Sequence, residues 1–382
     1  MRIHGAVLAG VLALIGAACK NGGGGGAGGS GRDTGEIVVG EVGSMTGEAA
    51  TFGQDTHRGA EMAVDEANKA GGIKGRKIRL VTEDDQSRPD EAATAITKLI
   101  TVSGAHAIIG EVASTRSLAM APIAQRSKIP MISPSSTNEQ VTQKGDYIFR
   151  VCFIDPFQGL VMAKFAKNSQ HFERVAILRE STADYSVGLA DVFAREFTKM
   201  GGRIVADRAY TNADTNFTGP LTAIKDSNPQ AIFVPGYYNH ISLIARQARE
   251  LGMTMPLLGG DGWDSAELDR TALNGAFYSN HYSPEDPSPT IQRFIADYRR
   301  RHDVVPNGLS ALGYDAARVL FDAMKRATSW ESSAVRDAIA ATRDFDGVTG
   351  RITLDENRNA VKPAVVLRVE PSGDKYVETI RP

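Results

Sequence analysis

Cysteine is scarce in this chain: two in 382 residues, Cys19 and Cys152. No disulfide framework can be built from them, and no C-x-x-C redox or zinc pair occurs. Charge of one sign is lacking too. Lys plus Arg number 43 and Asp plus Glu 45, a net charge of −2. That excludes the basic excess of a nucleic-acid binder and a polybasic membrane patch. Catalytic signatures are absent: there is no G-x-S-x-G, no H-E-x-x-H and no P-loop. None of the seven histidines lies three or four residues from another, so no local metal-ligand pair exists, and each reads as a surface or turn residue. What the chain does have is an ordinary globular balance, 42% hydrophobic and 23% charged, which excludes a largely disordered protein. At roughly 150 residues per domain its length suggests two or three domains.

The only long apolar run is Ala6–Ala18, behind Arg2. It is too short for a bilayer core of ~30 Å, which needs about 20 residues. A basic residue, an apolar run and small residues together read as a secretory signal over 1–18. Gly16, Ala17 and Ala18 lead into Cys19, which is similar to a bacterial lipobox with Gly in place of the usual Leu. Gly16 and Ala18 also satisfy the small-x-small rule for simple cleavage, so lipidation of Cys19 and plain cleavage both remain open. Residues 19–35 are dominated by glycine and read as a flexible tether. The G-x-G-x-x-G they contain follows no strand and carries no nucleotide-binding meaning.

Beyond the tether, strand and helix patterns alternate. Apolar or alternating runs at Ile37–Gly43, Lys77–Thr82, Ala107–Gly110, Met131-Ile132 and Tyr147–Val151 predict strands. Helical spacing predicts helices over Gly59–Ala70, Pro89–Thr101 and Ser114–Arg126. The rhythm repeats from Val175 to Leu258. Helices at Thr290–Arg301, Leu309–Lys325 and Val335–Ala341 follow, and then strand-like segments to Ile380. Two alternating runs imply two α/β lobes with parallel sheets, and strands at the tail imply that the chain crosses between lobes more than once.

Chemistry concentrates in strand-to-helix turns that carry hydroxyls: Gly110–Arg116, Ser133–Thr137 and Gly259–Trp263. A helix start carries unpaired amides and partial positive charge, so Ser114 and Thr115 stand where a carboxylate fits. Ser114 could equally cap its own helix. Asp261 could cap a turn or accept an ammonium. Cys152, beside a strand, reads as a buried inert thiol. Asp84-Asp85 could be a paired acid but reads first as a turn and cap pair, and Arg116 reads first as an outward solvated arginine but could contact an acidic ligand.

Several stretches together carry a resemblance that runs from about Ile37 to Val369. They are Gly43-Ser44-Met45-Thr46-Gly47 with Phe52-Gly53, the run Gly59–Gly75, Leu80–Asp85, Ala107–Gly110, Pro130–Thr137, Phe233–Tyr237 and Ala245–Ala248. In these the chain resembles the substrate-binding component of bacterial ABC importers of the leucine/isoleucine/valine-binding family. The resemblance implies a type I periplasmic binding fold: two doubly wound parallel-sheet lobes joined by a three-crossover hinge. Lobe 1 would be 36–154 plus 284–352, and lobe 2 would be 155–283 plus 353–382. It implies a ligand carboxylate at Ser114 and Thr115, its ammonium at Ser135, Thr137 and Asp261, and aromatic walls at Phe52, Tyr185 and Tyr237. It further implies a monomeric periplasmic receptor without enzymatic activity or cofactor. Such a receptor passes an amino acid to a membrane permease, binds no nucleic acid and touches the membrane only through Cys19. Departures bear on the ligand. Asp261 stands where the leucine-binding member has Glu, and Phe52 where it has Tyr. Ser87 and Ala113 stand at that member's disulfide positions. The family also holds binders of amides, urea and aromatic acids, so a detached sensor for such a ligand is the alternative. An enzyme would need a nucleophile–base pair that the sequence does not offer.

Overall fold

The structure, a computed structural model, describes residues 35–382. The expected signal, Cys19 and most of the expected tether lie outside the described residues. Two large sheets organise the rest. The first holds β1 (Ile37–Gly43), β2 (Ile78–Asp84), β3 (Ala107–Ile109), β4 (Met131–Ser133) and β5 (Ile148–Arg150), all parallel, in the order β2-β1-β3-β4-β5. The second begins with β6 (Arg174–Glu180), β7 (Arg203–Tyr210), β8 (Ala231–Phe233), β9 (Leu257–Gly259) and β10 (Phe277–Asn280). A small antiparallel sheet follows from β11 (Phe345–Gly347), β12 (Gly350–Leu354) and β13 (Ala360–Val361). Finally β14 (Ala364–Glu370) and β15 (Gly373–Ile380) return to the second sheet and complete the order β15-β14-β10-β9-β8-β6-β7.

Among the described residues the helices are α1 (Ala50–Lys69), α2 (Pro89–Thr101), α3 (Ser114–Ser127), α4 (Gln140–Gln143), α5 (Asp155–Lys164), α6 (Asp184–Lys199), α7 (Thr218–Asp226), α8 (Tyr238–Glu250), α9 (Pro289–His302), α10 (Gly308–Arg326) and α11 (Ser332–Ala340). Every residue of β1 is buried, as expected of a strand covered on both faces. Ile37 and Val39 point into one apolar cluster with α1, α9 and α10, while Val38 and Val42 point into another with α2 and α3. The second sheet is sandwiched in the same way, by α7 and α8 on one face and α5 and α6 on the other. The chain passes between the two halves after β5, after β10 and after β13, so the doubly wound lobes and triple crossing implied by the sequence are present. Lys362, buried just past β13, donates to the Val151 carbonyl just past β5 (3.3 Å) and ties the third crossing to the first. Among the described residues no helix is long and apolar enough to cross a membrane.

The differences from the sequence reading have local causes. Helix α1 starts at Ala50 rather than Gly59. Gly59 lies inside it because α10 presses close: a Cβ there would sit 2.0 Å from the Ser310 carbonyl oxygen, and one at Gly313 would sit 2.2 Å from that of Thr56. The glycine that looked like a boundary is a packing contact. Helix α5 and strand β10 were not expected. The first is apolar nearly all round and so lacks an amphipathic period, and the second ends in buried Ser279 and Asn280, which break strand alternation. The tail strands β14 and β15 run antiparallel, so the second sheet is mixed at that edge.

Candidate functional site

The turns singled out in the sequence converge between the two sheets. Phe52, Ser114, Ser135, Tyr185, Tyr237 and Asp261 line one enclosed pocket. Val112, Gly262 and Leu309, which sequence reasoning missed, complete it. Its free volume is about 10 Å³, roughly the room of a single water, so its walls nearly meet. Phe52 meets Tyr237 edge-on with ring centroids 5.5 Å apart, and Tyr185 stacks on Tyr237 at 5.2 Å. A larger groove of about 620 Å³ lies elsewhere, by Asp264, Arg270 and Lys375, and none of the expected ligand residues borders it.

One end of the pocket is acidic. Asp261 sits on the turn after β9 and is buried, and four side chains from different segments converge on its carboxylate. Gln158 Nε2 (2.8 Å) and the Tyr185 hydroxyl (3.0 Å) donate to Oδ1, while His281 Nε2 (2.9 Å) and the Ser135 hydroxyl (3.4 Å) donate to Oδ2. Burial pushes His281 down to about 4 against the pull of Asp261, so the imidazole is neutral at pH 7 and Nε2 carries its proton. His281 stacks on Phe153, with ring centroids 3.8 Å apart. A second acid stands beside it. Asp155 opens α5 one helical turn before Gln158, and its amide donates to the Thr137 carbonyl (2.9 Å). The Asp155 carboxyl is buried beside the Thr137 hydroxyl, which favours its ionised form but does not offset the burial. Burial pushes the Asp155 carboxyl up to about 8, and the negative Asp261 adds to the effect.

The other end is the start of α3. Ala113 occupies the cap position and no side chain caps the helix. The Ser114 hydroxyl therefore does not cap its own helix; it accepts the Asn138 amide (3.2 Å). The Ser114 and Thr115 amides have no carbonyl within the helix, and this start of α3, which borders the pocket through Ser114, carries partial positive charge. The Thr115 hydroxyl lies outside the pocket. It donates to Asp184 Oδ2 (2.9 Å) and accepts the Asp184 amide (3.1 Å), which pins α3 of one half to α6 of the other. Thr137 does not border the enclosed space either, although its loop does through Ser135.

That loop is held by a residue the sequence reading passed over. Arg150, at the end of β5, is fully buried. Its guanidinium donates to the carbonyls of Ser136 and Asn138 (2.9 Å to the latter) and to the Thr142 hydroxyl (3.3 Å). Burial lowers its proton affinity, and neutral carbonyl oxygens, not a carboxylate, form its cradle. No sequence pattern marks this: an arginine closing a strand ordinarily reads as solvated.

Three further expectations need correction. Arg116 is buried rather than solvated, with Nε 3.0 Å from Glu111 Oε2 and 3.6 Å from Asp85 Oδ2. Burial works against the Arg116 charge, but Glu111 and Asp85 hold it firmly protonated. Asp85 is more than a turn residue: it accepts the Ser44 hydroxyl (2.7 Å), and burial with Glu111 nearby pushes it up to about 7. His240 and His281 are buried rather than placed on the surface, and His281 reaches the pocket through Asp261. Cys152 is buried as expected, and burial pushes its thiol up to about 12. Among the described residues no cluster of His, Cys, Asp or Glu is arranged to hold a metal ion.

Comparison with known proteins places the chain in a family. The family model described as "Periplasmic binding protein" matches residues 36–375. A crystal structure of a leucine-binding protein, LivK, from Thermotoga maritima superposes with a TM-score of 0.87 at 39% identity, covering 91% of this chain and 99% of that one. The branched-chain amino acid transporter substrate-binding protein LivJ of Streptococcus pneumoniae, in complex with isoleucine, superposes at 0.86 with 32% identity, covering 91% and 100%. A Leu/Ile/Val-binding protein homologue of Brucella melitensis is 27% identical over 86% of this chain and 90% of its own length.

Proposed function

The chain belongs to the periplasmic binding protein family, and from that premise we propose that it is an extracytoplasmic receptor that captures a neutral aliphatic amino acid, branched-chain above all, and delivers it to an ABC permease. One observation carries the reading: two buried acids, Asp261 and Asp155, stand opposite an uncapped helix start, and a single loop links both ends. Ser135 of that loop touches Asp261 and Asn138 touches Ser114. An amino acid zwitterion fits this polarity. Its ammonium lies at Asp261 and Ser135, with Asp155 and Thr137 behind them, and its carboxylate lies at Ser114 and the α3 amides. Phe52, Val112 and Leu309 then cover an aliphatic side chain, at ~25 cal/mol per Å² of apolar area buried. An aromatic acid would bring an anion and no cation, and Asp261 would stay without a counter-charge.

We take the third crossing to follow Val361 rather than 352, because Leu354 and Ala360 pack in the core of the first sheet. We also take Cys19 as lipidated, with the protein a monomer on that anchor. Release of a Cys19→Ser chain from the membrane fraction is the expected result, and retention there would reject the anchor.

Calorimetry against a panel of amino acids tests the central reading. Leucine, isoleucine or valine binds one per chain. A bound ammonium stabilises the ionised form of Asp155, so at pH 7 binding releases about one proton from a carboxyl held at about 8. Titrations in buffers of different ionisation enthalpy measure that proton, and Asp155→Asn removes it. A panel in which no amino acid binds rejects the receptor.

A further inference from the structure

Past Tyr237 lies a set of buried polar groups that the amino acid backbone does not reach. Glu180 ends β6, Tyr210 ends β7, and Tyr237 and His240 open α8 just after β8. All four stand at the carboxyl edge of the second sheet, where open α/β sheets hold ligands. Arg116 approaches from the first turn of α3 in the other half. Glu180, Tyr210, His240 and Arg116 are all buried. Glu180 Oε2, the Tyr210 and Tyr237 hydroxyls, His240 Nδ1 and one terminal nitrogen of Arg116 have no hydrogen-bond partner. Unpaired polar atoms inside a protein are costly and point to something that satisfies them. The cluster is bracketed on both sides. Tyr237 is a wall of the amino acid pocket, and the outer rim is shut by Asn212, whose amide donates to both Glu48 oxygens at 2.9 and 3.0 Å. Gly236 lets the Tyr210 hydroxyl pack against the backbone, since a Cβ there would lie 2.5 Å from it.

We infer that the pocket continues past Tyr237 into a polar chamber that holds the carboxamide of a glutamine-like side chain. The inference rests on the amino acid receptor proposed above and extends its ligand class. Charge excludes the other polar side chains. A terminal ammonium would meet Arg116, and a terminal carboxylate would meet Glu180. A carboxamide is neutral and offers both roles. His240 Nε2 faces the Asn212 carbonyl (3.1 Å) and therefore carries the proton, which leaves Nδ1 as an acceptor 3.9 Å from Glu180 Oε2. The amide NH2 then donates to Glu180 Oε2 and His240 Nδ1, and its carbonyl accepts from Arg116 and a tyrosine hydroxyl.

Calorimetry on the purified chain with leucine, glutamine, lysine and glutamate, repeated with Glu180→Gln and Tyr210→Phe, tests it. Glutamine binds within about tenfold of leucine, and lysine and glutamate bind at least about a hundredfold more weakly. Each variant weakens glutamine at least about fivefold and leucine less than about twofold, and retained leucine binding shows the fold intact. Leucine binding with glutamine about a hundredfold or more weaker overturns the chamber and leaves the receptor standing. So do variants that move both ligands alike. A chain that binds none of the four overturns the receptor and the chamber with it.

Discussion

Asp261→Ala weakens amino acid binding by about 30- to 1,000-fold, roughly 2–4 kcal/mol, the range for truncating one partner of a buried, hydrogen-bonded charge pair. The size follows from convergence. Gln158, Tyr185, His281 and Ser135 all aim donors at this one carboxylate, so the change removes the counter-charge of the ammonium and also leaves buried donors unpaired. Asp261→Asn keeps the shape and loses the charge, and it falls between wild type and alanine. Titration calorimetry measures all three, and equal affinities for wild type and Asp261→Ala would remove the ammonium site from this end of the pocket.

Arg150→Met lowers the melting midpoint by roughly 3–5 °C, from a loss of roughly 3 kcal/mol. Methionine matches the stem of arginine but not its donors. The carbonyls of Ser136 and Asn138 then lie buried without their partners. The same change weakens ligand binding, because the loop so released carries Ser135 and Thr137. Arg150→Lys restores part of both, one ammonium reaching fewer of the acceptors. A thermal scan with and without ligand reads the two effects. An Arg150→Met chain with unchanged midpoint and unchanged affinity would show the cradle to be dispensable.

Much of this architecture was legible beforehand because its signals are local. Pro89 with Asp90 and Glu91 marks the start of α2, and Gly71-Gly72 the stop of α1. The hydroxyl-bearing turns at Ser114 and Ser135 and the acid at Asp261 stand at strand ends, where ligands gather. What was not legible depends on contacts between distant segments. His281 looks like any lone histidine until the chain brings it to Asp261, and Asp155 looks like a helix-opening acid until Thr137 and Asp261 surround it. Arg116 reads as solvated because nothing in its neighbourhood along the chain reveals that Asp85 will fold beside it. Leu309 and Val112 are unremarkable apolar residues, and only the packing of α10 against α1 turns Leu309 toward the pocket.

The three passes between the halves, with Lys362 stitching the last to the first, limit how this molecule can move. A door hung on three pins swings and does not slide. Its leaves keep one axis, so the latches at its edge, Thr115 with Asp184 and Glu48 with Asn212, meet at a single angle. A transporter touching both leaves would feel that angle, and cargo of any shape would be announced in the same way.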